Sequence, residues 1–219
     1  MNVGFSADHA RGPILICNRS AISKHVEYYK FALVARESHS LVHRMKVIII
    51  GAGLSGLSAA VALRKYLPPE EHSLDIKVYE RRDAGQPMGA AISLQYNGLH
   101  VLRDLDPAIY DKVLGRGNPC KHFTFKTAGD VLLGRSYLDV VPISRQILID
   151  CIAESLPDDI VTYKAVSKVV TRQGLKQYVQ FEDGSPDETA DLVIAADGIG
   201  SRTRHDLFGD DKQYHAEYS

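Results

Sequence analysis

The chain has 219 residues, 45% of them hydrophobic, with 26 Lys and Arg against 27 Asp and Glu and a net charge of −1. That is enough polypeptide of ordinary composition to bury a full core. A charge near zero sets up no field that would gather nucleic acid or an anionic membrane, so no nucleic acid and no membrane partner is expected, and a small-molecule substrate is.

Residues 1–44 show no hydrophobic period, scatter four histidines (His9, His25, His39, His43) and carry a charge of +3, which leaves −4 for residues 45–219. They read as an atypical N-terminal extension, either a weakly basic organelle leader or an upstream extension of the gene, and stay outside the fold argument. From Met45 the pattern is regular. The continuous apolar run at 46–50 predicts a parallel strand buried on both faces. Leu54, Leu57, Ala60, Val61 and Leu63 then recur near helical spacing until Pro68 and Pro69 end the helix. A second strand follows at 75–80, with Ile76 and Val78 alternating with charged neighbours. Strand, glycine turn, helix and strand in this order make a βαβ unit, so the fold class is α/β, a Rossmann-like domain on a parallel sheet.

The Gly- and Ala-rich stretch 85–92 predicts a loop passing close to something, and Leu99, Leu102 and Leu105 a helix over 97–105. Short strands are expected at 122–125 and 131–133 around the turn Ala128-Gly129-Asp130. Ser144 precedes RQILIDCIAESL, a helix with one apolar face, and fits its N-cap. Strands at 160–163, 165–171 and 176–182, a polar turn at 183–189 and an apolar run at 192–196 complete the chain. The longest apolar runs, such as 47–50, fall far short of the roughly 20 residues that cross a bilayer. Cys17, Cys120 and Cys151 have neither CxxC spacing nor a nearby histidine, so no metal site is predicted. Their usage fits a reducing compartment, the cytoplasm, or the mitochondrion if the leader is a transit segment.

The chemistry is carried by KVIIIGAGLSG at 46–56. In this G-x-G-x-x-G pattern Gly51 permits the tight turn, Gly53 lets the backbone approach a pyrophosphate, and Gly56 lets the helix pack on the sheet. The helix N-terminus offers N–H groups and the positive end of its dipole to phosphate. Glu80 ends the second strand 24 positions after Gly56, where a carboxylate accepts hydrogen bonds from ribose hydroxyls. A carboxylate there repels a 2′-phosphate, which leaves FAD or NAD; Arg81 and Arg82 beside it offset that repulsion in part.

Taken together with DLVIAADGIGSRTR at 191–204, these motifs resemble the FAD-dependent aromatic hydroxylases, the single-component flavin monooxygenases of the salicylate-hydroxylase kind, over residues 45–208. In that family a strand ending in Asp-Gly, followed by Ser and Arg, makes a second nucleotide contact; Asp197, Gly198, Ser201 and Arg204 stand at those positions. GAAISLQYNGLHVLRDL is similar to the family's loop and helix beside the flavin ring, with Gly89, Ala90 and Ala91 small and Asn97 a candidate cap. Arg145 in ISRQIL is similar to the family's helix-start arginine, which reaches the cofactor with a fixed charged fork. The resemblance implies cofactor contacts from Gly51, Ala52, Gly53, Gly56, Leu57, Glu80, Arg81, Ala91, Arg145, Asp197 and Gly198.

It also implies a reaction in which NADH or NADPH, written NAD(P)H, reduces FAD and the reduced flavin uses O₂ to hydroxylate a small aromatic substrate. Flavin does the hard steps, so no catalytic base is expected, and no Ser-His-Asp, HExxH or paired-carboxylate arrangement is found. Tyr96, His100 and His122 near the predicted loop read as core or surface residues. The chain departs from the family after residue 208: Gly209-Asp210 lacks the leading apolar strand of the family's Gly-Asp motif. The expectation is therefore an FAD-binding domain over 45–219, truncated relative to the family, with an incomplete second β-rich substrate region. Two alternatives stay open: a non-catalytic FAD-binding fragment, and another FAD-dependent oxidoreductase on the same fold.

Overall fold

The computed structural model describes residues 14–16, 44–67, 74–83, 90–171 and 176–209, which fall into two units, one of residues 14–16, 44–83 and 159–209 and one of 90–158. Strands and helices are numbered along the chain.

The first unit is built on a five-stranded sheet of β1 (Ile14–Ile16), β2 (Met45–Ile50), β3 (Leu74–Glu80), β7 (Val161–Tyr163) and β11 (Leu192–Ala195). Its order is β1-β11-β2-β3-β7, and every neighbouring pair is parallel. Helix α1 (Leu54–Tyr66) joins β2 to β3 and completes the expected βαβ unit. An apolar run is required in β2 because both faces are covered. Ile48 and Ile50 pack in one cluster with Tyr79, Val193, Val169, Val179 and Phe181, whereas Ile49 stands on the α1 side, its Cγ2 3.3 Å from where a Cβ on Gly56 would lie.

Val169, Val179 and Phe181 come from an antiparallel meander, β8 (Val166–Thr171), β9 (Gln177–Phe181) and β10 (Glu188–Ala190), laid on the sheet. A charged network ties it down: the Glu188 carboxylate accepts from Lys46 Nζ at 2.5 Å, Tyr79 Oη at 2.5 Å and Lys77 Nζ at 3.2 Å. Burial pushes the Glu188 carboxyl up, but the hydrogen bonds from Lys46, Tyr79 and Lys77 outweigh it and hold the group down at about 2. Burial first and the hydrogen bond to Glu188 second raise the Tyr79 phenol well above its ordinary range.

The second unit is an antiparallel sheet with three helices: β4 (Ala91–Leu94), α2 (Tyr96–Leu105), α3 (Pro107–Arg116), β5 (Cys120–Lys126), β6 (Leu132–Ser144) and α4 (Arg145–Ala153). Strand order is β4-β6-β5. Leu102, Leu105, Ile109, Val113, Val141, Leu148 and Ile152 are among its buried residues.

Several expectations need correction. The pattern leaves residues 1–44 out of the fold, yet Ile14–Ile16 pair in parallel with β11, from Ile14 opposite Val193 to Ile16 opposite Ala195. Three apolar residues are too few to show a period, but a fully buried strand such as β11 needs a partner on its outer edge. Helix α3 was not expected; its signal is Asp106-Pro107, where Asp106 Oδ1 accepts the Ala108 N–H at 2.8 Å and proline stands in the first turn. The strand read at 131–133 is the start of the 13-residue β6, and the polar turn read at 183–189 gives way to β10 at Glu188. Ser144 occupies the N-cap of α4 without a side-chain bond. Asn97 lies inside α2, capped by position Gln95, and accepts the Gly98 N–H at 2.8 Å. Pro68, Pro69, Gly89, Asp210 and Cys17 lie outside the described residues.

No helix among the described residues is long and apolar enough to cross a membrane.

Candidate functional site

The glycine turn stands where β2 ends against the C-terminal ends of β3 and β11, the place where open α/β sheets leave a crevice. Gly51 has φ +102, and a Cβ there would fall 2.5 Å from the Ala196 carbonyl oxygen and 3.2 Å from Asp197 Cα. A Cβ on Gly56 would fall 1.9 Å from the Gly51 carbonyl oxygen. Both glycines are therefore required by the chain's own packing. Gly53 is different, since a Cβ there would meet nothing within 4 Å. It is the N-cap of the 13-residue α1, makes no side-chain cap, and is followed by a first turn without an acid and a last turn with Arg64 and Lys65. The first bond at this end runs from the Leu57 N–H to the Gly53 carbonyl at 3.0 Å, which leaves the N–H groups of 54–56 with no acceptor inside the helix. The missing side chain of Gly53 thus opens space at a helix end suited to an anion.

Glu80 braces this turn. Its Oε2 accepts the Ala52 N–H at 2.8 Å and its Oε1 the Arg82 N–H at 2.9 Å, while the Gly51 N–H bonds the Tyr79 carbonyl at 2.7 Å. The Glu80 side chain is 16% exposed, and an ionised carboxylate has room for about four hydrogen bonds. Arg82 Nε also lies 3.6 Å from Glu80 Oε1, so acceptor capacity is left chiefly on Oε2 of a partly exposed acid beside the turn. Arg81 is exposed. The side chain of Leu57 belongs to the core, 1% exposed.

Asp197 and Gly198 follow β11 in the same unit, Gly198 with φ +89. The Asp197 carboxylate is engaged by its own loop: Oδ1 accepts from Ser201 Oγ at 2.5 Å, and Oδ2 from the N–H and the hydroxyl of Thr203, both at 3.2 Å. Ser201 in turn caps the short helix α5 (Arg202–Phe208) by accepting the Arg204 N–H at 3.0 Å, and Arg204 Nη2 bonds the Ile199 carbonyl at 2.8 Å. Sequence reading named Ser201 and Arg204 but missed Thr203; the spacing Asp-x-x-x-Ser-x-Thr before a helix is the signal that points to it.

Ala91 and Arg145 belong to the second unit. Ala91 is exposed and pairs with Ser144 across β4 and β6. The Arg145 N–H donates to the Ala90 carbonyl at 3.1 Å, and Ala90 holds φ +83, a left-handed conformation rare for a residue with a Cβ. Tyr96 and His100 meet edge to face on the surface of α2, 4.7 Å between centroids, and His122 lies 6.3 Å from Tyr137 on the β5–β6 ribbon. Cys120 and Cys151 are both free thiols, and burial above all pushes Cys151 up. No cluster of metal-ligating side chains occurs among the described residues.

Comparison with known proteins agrees with this fold. A family model described as an NAD(P)-binding Rossmann-like domain matches residues 49–113. The FAD-dependent urate hydroxylase of Mycolicibacterium vanbaalenii is 32% identical over 175 residues, covering 75% of this chain and 42% of that protein. The 6-hydroxynicotinate 3-monooxygenase of Pseudomonas fluorescens is 29% identical over 187 residues, covering 79% of this chain and 46% of that one. Among solved structures, Klebsiella pneumoniae HpxO, crystallised with FAD and uric acid, superimposes with a TM-score of 0.63 at 29% identity over 77% of this chain and 43% of its own. The chain spans less than half the length of these relatives.

Proposed function

Because the chain is a relative of the salicylate-hydroxylase-like FAD-dependent monooxygenases over their nucleotide-binding part, we propose that it binds FAD at the turn between β2 and α1 and is the nucleotide half of a monooxygenase acting on a small aromatic or related compound. The observation that carries this reading is the contrast among the three glycines: Gly51 and Gly56 are explained by packing, whereas Gly53 leaves open space at the head of α1. A pyrophosphate needs that combination of open approach and unpaired N–H groups.

In this reading the α1 N-terminus holds the pyrophosphate, and Glu80 accepts ribose hydroxyls with the capacity its two backbone bonds leave unused. Gly51, Ala52 and Gly56 set the turn, with Leu57 anchoring α1 in the core. Arg81, Ala91, Arg145, Asp197 and Gly198 complete the proposed set, Arg145 supplying a permanent positive charge. FAD, when bound, supplies the redox chemistry, taking hydride from NAD(P)H and activating O₂; the residues named here bind and orient it. The reading also places the protein in the cytoplasm, with a small-molecule substrate and no nucleic-acid or membrane partner.

The test is direct. Titration of the purified chain with FAD should quench flavin fluorescence and give a protein-bound flavin absorption spectrum; no change in either counts against the proposal. A second reading is an FAD-binding polypeptide without turnover of its own. NAD(P)H consumption by the FAD-loaded chain with a panel of hydroxylated aromatic acids and purines would exclude that second reading.

A further inference from the structure

We propose that the outer edge of β11 is a strand-acceptor site, filled by Ile14–Ile16 of the same chain and open to the same segment of a second copy. This edge lies on the side of β11 away from β2, and its use as an acceptor goes beyond the proposed FAD site without resting on it.

Strand β11 is the apolar run Leu-Val-Ile-Ala, buried at all four positions and paired with β2 in unbroken register from Leu192 opposite Val47 to Ala195 opposite Ile50. Its other edge carries none of the features that keep a strand from recruiting partners: it has no proline, no charged side chain and no bulge. Backbone N–H and C=O groups along a buried edge need partners. Residues 14–16 supply them in parallel, with Ile14 opposite Val193, Leu15 opposite Ile194 and Ile16 opposite Ala195.

That cover is slight and its covalent tie is long. Strand β1 has three residues, stands at the end of the sheet and pairs with β11 alone. Residues 17–44, 28 in number, separate it from β2, whereas a parallel crossover needs about a dozen. Main-chain bonds to β11, and the local concentration that tethering provides, therefore hold the strand in place. So short an edge strand opens at low free-energy cost. Once it leaves, the edge is an apolar template for parallel strand addition, in which main-chain hydrogen bonds supply the affinity. The segment that fits the edge is the one it already holds, so the partner is a second copy of this chain.

The experiment uses the full chain carrying Leu15→Pro with Ile16→Pro. Successive N–H groups of a strand point to opposite edges, so one of the two prolines removes a donor that faces β11. The probe is a dye-labelled peptide of residues 10–20 with Cys17→Ser, which stands in for the segment of a second copy. Amide hydrogen exchange over 192–195 should run about tenfold faster in the variant than in the parent and return to the parent rate when peptide is added. By fluorescence anisotropy the peptide should bind the variant about tenfold more tightly than the parent, whose own strand competes for the edge. A peptide carrying the same two prolines should bind neither. The parent supplies a second measurement should the variant not fold: peptide with a benzophenone at position 15, in large excess, should cross-link to residues 192–195. The proposal falls if the folded variant exchanges 192–195 at the parent rate, if the peptide binds parent and variant alike, or if the cross-links map away from β11.

Discussion

The Glu80 carboxylate accepts the backbone N–H of Ala52 at 2.8 Å, from the end of one strand to the turn that follows its neighbour. The acid that sequence reading assigns to a ribose is thus also a structural brace of the glycine turn. Glu80→Gln keeps one oxygen acceptor and presents an N–H₂ where the second was, so one of the two backbone bonds, to Ala52 or to Arg82, is lost. We expect FAD affinity to fall about tenfold, a loss of roughly 1.4 kcal/mol, read from fluorescence quenching. Unchanged affinity would remove Glu80 from both roles.

The three glycines of the turn should separate in a pair of measurements. Gly51→Ala meets backbone at 2.5 Å and a φ of +102, and is expected to lower stability by about 2 kcal/mol or more. Gly53→Ala has open space and φ −79, so its stability should stay within about 1 kcal/mol of the parent, while FAD binding drops sharply. Gly53→Val should abolish binding with equally little effect on folding. Denaturant midpoints and FAD titrations together test this; parent-like FAD affinity in Gly53→Val means the phosphate does not approach here.

Glu188 makes acid stability legible. Its folded value of about 2 lies below its ordinary 4.5, so the group contributes stability that is fully present above pH 4.5 and disappears as the pH falls towards 2. The contribution is on the order of 2 kcal/mol after allowance for its partial exposure. Unfolding free energy measured from pH 6 down to pH 2 should show the decline in the parent and a flatter profile in Glu188→Gln. Identical profiles would show that the Lys46, Lys77 and Tyr79 contacts add nothing net.

Ala90 is held at φ +83 with its carbonyl bonded to the Arg145 N–H. Ala90→Gly removes the steric penalty of that conformation while keeping the carbonyl. The exchange should stabilise the second unit by about 1 kcal/mol, seen as a rise in its denaturation midpoint. A lower midpoint would mean that the methyl group makes packing contacts worth more than the strain.

The β5–β6 ribbon exposes Phe123, Phe125, Leu132, Leu133, Tyr137 and Leu138, each between 38% and 78% accessible. So many large apolar side chains on one hairpin predict binding of a hydrophobic dye such as ANS and concentration-dependent association. Phe125→Lys with Leu133→Lys should reduce both, measured by dye fluorescence and sedimentation. Parent-like dye binding in that variant would place the apolar surface elsewhere.

Local pattern was enough for the nucleotide-binding half. An apolar run buried on both faces, glycines at set intervals and an acid at the end of the next strand are each properties of a few neighbouring residues, and β2, α1 and β3 form where these predict. It was not enough where a residue's partner is distant or its signal short. Ile14–Ile16 is a strand only because β11 offers an edge, and β10 only because β9 and the Lys46–Lys77 pair stand opposite Glu188. Ser144 takes the expected N-cap of α4 without a side-chain bond, whereas Asn97 has the right residue type for a cap but lies inside α2, which starts at Tyr96.

The same division runs through the site. That a dinucleotide turn exists between Lys46 and Gly56, and that Asp197 and Gly198 follow a buried strand, is dictated by residue type and spacing. Which glycines the packing requires and which it leaves open is decided by distances: 2.5 Å at Gly51, 1.9 Å at Gly56 and open space at Gly53. The occupation of Asp197 by Ser201 and Thr203 is likewise tertiary, since a carboxylate in sequence carries no record of which donors the folded chain will bring to it.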